Sequence, residues 1–248
     1  MPTATKTKSV IPETGFYFDA EKHRYFMDGK KMTGVTTILS VISKPQLIQW
    51  AANEAVKYIK ENVITADLFE GSSASGIYYP VSEEDLEKAR TAHAKKRDKS
   101  ADIGTLAHAW VEDWIAGKNP PKDENIALMT DNFLKWVGEV KPKFLASEKI
   151  VYSKKHFYAG TLDFVAEING RTYLGDIKTG NGIYPEMFWQ TAGYQLAFEE
   201  TEPEMKIDAH IIVNTTKDGK LNLEEKFDFE SSKQGFLSAL KIYRLLNQ

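Results

Sequence analysis

The spacing of apolar side chains changes period along the chain, from mostly helical in the first part to mostly strand-like in the second. Near the start, strand-like residues of HRYFMDGKKM lie on both sides of Asp28-Gly29, a hairpin signal, and a β-branched run, Val35-Thr36-Thr37-Ile38, follows. Ser43 with Gln46 predicts a capping box, and Pro45 suits the first turn of a helix through LIQWAANEAVKYIKE. Residues 70–80, EGSSASGIYYP, read as a loop. Ser82 then caps an acidic first turn, predicting a helix through EEDLEKARTAHAKKRDK that becomes basic toward its end. The next helix, DIGTLAHAWVEDWIAG, has Ile103, Leu106, Ala107, Trp110, Val111 and Trp114 at helical spacing, and Gly117 and Pro120 end it. Another amphipathic helix runs through ENIALMTDNFLKWVGEV. After Pro142, strand patterns dominate: SEKIVYS, YAGTLDFVAEI, RTYLGDIKT, AHIIVNT and KLNLEEKFDF. The helix PEMFWQTAGYQLAFEE interrupts them, and SSKQGFLSALKIYRLL closes the chain.

Helices followed by a sheet region flanked by helices imply an α/β or α+β core. No flexible linker marks a boundary, so the expectation is a short disordered arm over 1–15 and one integrated domain over 16–248. Within it, 16–140 is the mostly helical portion and 141–248 the sheet core. The 248 residues are 42% apolar, ample for a core of that size. A net charge of −3 gives no global basic signature, so any nucleic-acid binding needs a local patch or metal ions. The absence of cysteine excludes disulfides, thiolate zinc, a cysteine nucleophile and a cysteine-held iron–sulfur cluster. No apolar run reaches the ~20 residues of a membrane span, and no targeting segment is evident.

The chemistry concentrates in GTLDFVAEINGRTYLGDIKTG, residues 160–180. Asn169-Gly170 predicts a type I′ turn, since both of its central residues need positive φ. Counting outward from that turn sets Val165 opposite Leu174, Asp163 opposite Asp176 and Thr161 opposite Lys178. Opposed residues share a face, so Asp163, Asp176 and Lys178 project the same way. The two aspartates would form a non-hydrogen-bonded pair with Cα atoms ~4.5 Å apart, where like charges repel. A bulge at Gly175 would shift this register. Solvent or a salt bridge to Lys178 can offset the repulsion. So can a hard divalent cation, with Lys178 beside its bound water.

GTLD followed by DIKTG resembles the core motif of the PD-(D/E)XK nuclease superfamily, in its RecB-like branch; Leu162 stands where the superfamily's name has proline. That resemblance implies an α/β, restriction-endonuclease-like fold with a mixed central β-sheet flanked by helices. It implies Mg²⁺ or Mn²⁺, one or two ions, held by Asp163, Asp176, the Ile177 carbonyl and His108, with Lys178 assisting hydrolysis. Gly104 and His108 match the branch's G-x3-H helix before the sheet. Gln190 and Tyr194 match its Q-x3-Y helix, although alone they would read as a helix-surface pair, with Tyr194 a packing residue. Glu148 falls on the strand where related enzymes often have an acid near the cluster. Glu112, one turn beyond His108, reads equally as a site residue or a solvent-facing acid.

GVTTILSVISKPQLIQWA resembles a segment of phage exonucleases and the mitochondrial genome maintenance exonuclease. Thr36 and Thr37 there could hold a phosphate, or the run could be a strand packed on the core. Lys95, Lys96 and Arg97, with Lys154 and Lys155, are candidate phosphate contacts, although charge runs are usually solvated faces. Trp50, Tyr78, Tyr79 and Trp189 are candidates for stacking on bases. The resemblance implies a metal-dependent exonuclease acting on DNA with a free end, single- or double-stranded, in replication, recombination or repair. Its partners would be DNA and a recombination or replication protein, with no membrane and no iron–sulfur cluster. Its place would be the cytoplasm of a bacterial or phage-infected cell. The alternative is a catalytically silent DNA-binding or recombination-partner protein of the same fold.

Overall fold

The computed structural model describes residues 12–63, 66–67, 77–78 and 81–248. Most of the arm expected over 1–15, and most of the 70–80 loop with Tyr79, lie outside the described residues. The chain divides into two compact units, Met1–Ile42 with Ala107–Gln248, and Ser43–Leu106.

The second unit contains helix α2 (Pro45–Asn62), the paired two-residue strands β4 (Ala66–Asp67) and β5 (Ile77–Tyr78), and the first turns of α3 (Glu83–Ile115). Helix α3 is continuous where the sequence predicted two helices. Lys99–Asp102 contains no breaker, and a lone interior glycine such as Gly104 is tolerated. Ser82 caps it as expected, its Oγ accepting from Asp85 N–H (3.1 Å) while its own N–H donates to Asp85 Oδ2 (3.2 Å). The Ser43–Gln46 box does not form. Helix α2 starts at Pro45, Lys44 occupies the cap position, and no side chain caps it.

The first unit opens with a meander, β1 (Phe16–Asp19), β2 (Arg24–Met27) and β3 (Lys30–Gly34). The β-branched run then forms a short helix, α1 (Val35–Leu39), instead of continuing as a strand. Burying Val35 and Ile38 on one helical face outweighs their strand propensity and leaves Thr36 and Thr37 exposed. After α4 (Ala127–Val140) come β6 (Lys143–Ser153), β7 (Tyr158–Ile168), β8 (Arg171–Lys178), α5 (Pro185–Thr201), β9 (Ala209–Thr215), β10 (Leu221–Lys226) and α6 (Glu230–Leu246).

The sheet order is β1-β2-β3-β7-β8-β9-β10, with β6 as an eighth strand on β7. β3–β7 and β8–β9 are parallel and the other pairs antiparallel, so the chain is α/β with a mixed central sheet flanked by helices, in keeping with a restriction-endonuclease-like architecture. Alternation along the central strands sorts the two faces. Val165 and Leu174 pack with Phe198 and Phe236 of α5 and α6, while Phe164, Ala166 and Tyr173 pack with Phe133 and Trp136 of α4.

One feature of β7 positions the site. β6 takes one edge of β7 along nearly its whole length. On the other edge, β3 pairs with Tyr158 and Ala159, and β8 pairs with Phe164–Ile168. Residues 160–163 fall between these two ladders, where the sheet splits.

Candidate active site

The hairpin forms in the counted register: Ile168 faces Arg171, Val165 faces Leu174, and Phe164 faces Gly175 without a bulge. Asn169 (φ 50°) and Gly170 (φ 75°) adopt the positive angles of the turn. The Phe164 ring lies over Gly175 so closely that a Cβ there would stand 1.8 Å from Cζ, and only glycine fits. Beyond this pair the ladder stops. A continued ladder would send the Ile177 N–H to the Leu162 carbonyl. Instead it donates to Asp163 Oδ2 at 2.7 Å, so a carboxylate bridges strands that have begun to part.

Asp176 is fully buried and Asp163 nearly so, with 13% of its side chain exposed. Lys178 Nζ forms an ion pair with Asp176 Oδ2 and donates to Gln190 Oε1 at 3.2 Å. Gln190 Nε2 in turn reaches Asp176 Oδ1 (3.2 Å) and Tyr194 OH (3.0 Å). His108 Nδ1 lies 3.7 Å from Asp163 Oδ2. Thus Asp176, Lys178, Gln190 and Tyr194 form one bonded network between β8 and α5, while Asp163 of β7 holds Ile177 N–H and has His108 of α3 beside it. Tyr194 also packs on the bare Cα of Gly160, where an added Cβ would meet its ring at 2.6 Å.

Electrostatics tie Glu148 and Glu112 to the same cluster. Burial, then the charges of Asp163, Glu112 and Asp176, push the Glu148 carboxyl up to about 7. Its backbone is held at φ 47°, at the point of β6 facing Asp163, where the β6–β7 pairing skips both residues. Burial raises Asp176 above the usual carboxylate range, against the pull of Lys178. For Lys178, burial favours the neutral amine, but Asp176 and Asp163 outweigh it and raise the group, so it stays an ammonium.

The expected four-donor cage does not stand ready-made. Among the described residues no three His, Asp or Glu side chains converge as a ligand set. The reason is local: Ile177 N–H occupies Asp163, and Lys178 supplies the positive charge at Asp176. The donor chemistry nevertheless fits a hard cation. Asp176 is buried with part-buried Asp163 close by, and carboxylate oxygens are the donors that a hard divalent cation takes.

A cavity of about 280 Å³ opens beside the split. Thr36 and Thr37 line it with Thr161, Lys22, Arg24 and Lys31. Sequence reasoning missed these three cations and Tyr25, whose hydroxyl bonds Thr161 Oγ1 and His23 Nε2, each at 2.9 Å. The signal was the interleaving of cations and aromatics in KHRYFMDGKK. Lys154 and Lys155 are exposed on the β6–β7 turn. Lys95, Lys96 and Arg97 belong to the second unit, where Lys96 pairs with Glu54 (2.5 Å) and Arg97 with Asp98 (2.9 Å). Trp50 packs edge-on against His93, and Trp189 packs over Gly235 of α6.

No family model matches the chain, and no curated protein matches its sequence. Among solved structures it is similar to a protein from Eubacterium rectale described as a candidate exonuclease, at 10% identity and a TM-score of 0.41, over 56% of this chain and 64% of that one. A second, whose description names no activity, gives 11% identity and 0.33, over 79% of this chain and 86% of that one. An alkaline exonuclease from Laribacter hongkongensis gives 12% identity and 0.32, over 60% and 89%, and has also been solved with dAMP. The chain thus spans less than two thirds of the first of these proteins. Likeness at such TM-scores decides nothing about activity, which has to be read from the residues themselves.

Proposed function

We propose that this chain is a Mg²⁺- or Mn²⁺-dependent deoxyribonuclease of the PD-(D/E)XK superfamily, RecB-like branch, that degrades DNA from a free end in replication, recombination or repair. The observation that carries the reading is the network joining Asp176 and Lys178 through Gln190 to Tyr194 of α5, with Asp163 on the neighbouring strand bonded to Ile177 N–H. His108, Asp163, Asp176 and the Ile177 carbonyl would hold one or two cations. A bound cation supplies charge neutralisation at phosphorus and an acidified water for in-line displacement.

The chain's own groups do the rest. Lys178, kept as an ammonium, orients the attacking water and stabilises negative charge on a phosphate oxygen through its Nζ protons. It is a donor rather than the base. Glu148, on β6 facing Asp163, is the carboxylate proposed to take the proton of that water. Gln190 holds Lys178 and Asp176 in register. Thr36 and Thr37, with the cations of the adjoining cavity, suit the phosphates of a DNA end.

The test is end-labelled linear DNA, single- and double-stranded, incubated with the protein and Mg²⁺ beside a closed circle. We expect the linear species to be degraded and the circle spared. Cutting of the circle would make the protein an endonuclease. Binding without cleavage would favour the silent DNA-binding protein.

A further inference from the structure

His210 is fully buried on β9, away from the carboxylate cluster, and both of its ring nitrogens are engaged. Nδ1 lies 2.9 Å from Thr191 Oγ1 and Nε2 lies 2.9 Å from Gln195 Oε1. The partners fix the tautomer. Gln195 donates its amide N–H to Glu199 (2.7 Å), so its Oε1 must accept from the ring. Nε2 therefore carries the proton and Nδ1 faces the Thr191 hydroxyl, which also donates to the Phe188 carbonyl at 3.0 Å. The ring stays neutral: burial, then the Lys233 and Lys226 charges, push its protonation down to about 3. Phe229 stacks on it at 4.8 Å. Lys233 closes the chain of contacts by pairing with Glu199 at 3.8 Å.

Thr191 and Gln195 each follow a site residue by one position, Gln190 and Tyr194 respectively. One residue is about 100° of helix, so the two pairs form neighbouring stripes on α5. One stripe faces Asp176 and Lys178, and the other is bolted to the sheet through His210. Helix α5 is also held by the Tyr158 hydroxyl donating to the Gly193 carbonyl at 2.7 Å. The two directional bonds from one rigid ring, one helical turn apart, oppose rotation of α5 about its own axis.

We propose that His210 is a positioning residue for the candidate site, fixing the rotation of α5 and thereby the reach of Gln190 to Asp176 and Lys178. In its activity measurements this rests on the nuclease reading. The experiment compares His210→Phe, which keeps the ring and its stack but bonds neither partner, with His210→Gln, whose amide can both donate and accept. Each is made alone and together with Gln190→Ala. We expect His210→Phe to lower kcat by about tenfold to a hundredfold while KM for linear DNA holds. His210→Gln should recover most of that loss. With Gln190 already removed, His210→Phe should cost less than about threefold more, because the two act as one unit. An equal fold-loss in both backgrounds, or a loss confined to KM, would overturn the proposal. If His210→Phe does not fold, Thr191→Val removes one of the two bonds and takes its place. A second measurement does not need activity: the Gln190 side-chain amide resonances, assigned by their loss in Gln190→Ala. They should move in His210→Phe and return in His210→Gln. If the unmodified protein cleaves nothing, the nuclease reading falls, and these resonances alone decide; unmoved resonances would overturn the positioning role.

Discussion

At Asp176, burial and charge oppose each other: burial drives the carboxyl toward its neutral form, and Lys178 holds it ionised. An ion pair this deep stabilises little, since the desolvation cost consumes most of the Coulombic gain. Its use is to keep charges of both signs poised at one point. Glu148 shows the cost most clearly. Its carboxyl is raised from 4.5 to about 7 in the folded protein, so between those values the unfolded chain releases a proton that the folded chain retains. The unfolded state is therefore favoured progressively, and this contribution to stability falls as pH rises from about 4.5 to about 7, then levels off. Urea titrations of the wild type and Glu148→Gln across that range should differ in slope, the wild type losing stability relative to the variant as pH rises. Parallel curves would mean that burial and the charges of Asp163 and its neighbours do not raise Glu148.

At the level of elements, much was legible. Asn169-Gly170 dictated the turn, the turn dictated the register, and Val165 opposite Leu174 followed. The end of the ladder at Phe164 and Gly175 was not legible. It depends on the Asp163 carboxylate capturing Ile177 N–H and on Phe164 filling the space over Gly175, both contacts of tertiary geometry rather than spacing. Likewise the run Val35–Leu39 reads as strand by propensity and folds as helix because Val35 and Ile38 are wanted in the core. Gly175→Ala should destabilise the protein by about 1–3 kcal/mol or more, since Phe164 must leave its place. Gly138→Ala, in α4 with open space around it, should instead stabilise by roughly 0.5–1 kcal/mol. Urea midpoints check both, and equal effects would contradict the packing account.

Across the whole molecule, a net charge of −3 concealed a local basic cavity. Lys22, Arg24 and Lys31 come from one meander, but only folding brings them to Gly160 and Thr161 of β7. The candidate site was legible where residues are near in sequence or carry a motif, as with Asp163, Asp176, Lys178, Gln190 and His108. It was not legible where strand order alone makes neighbours. Among the described residues no helix is long and apolar enough to cross a membrane. We propose that the split between β7 and β8 is a single metal-dependent centre for cleaving DNA. The most direct measurement is Mg²⁺-dependent degradation of linear DNA by the wild type, Lys178→Ala and Asp163→Asn, each first verified as folded by circular dichroism. The account predicts degradation by the wild type and its loss in both variants. Undiminished cleavage by both folded variants would contradict it.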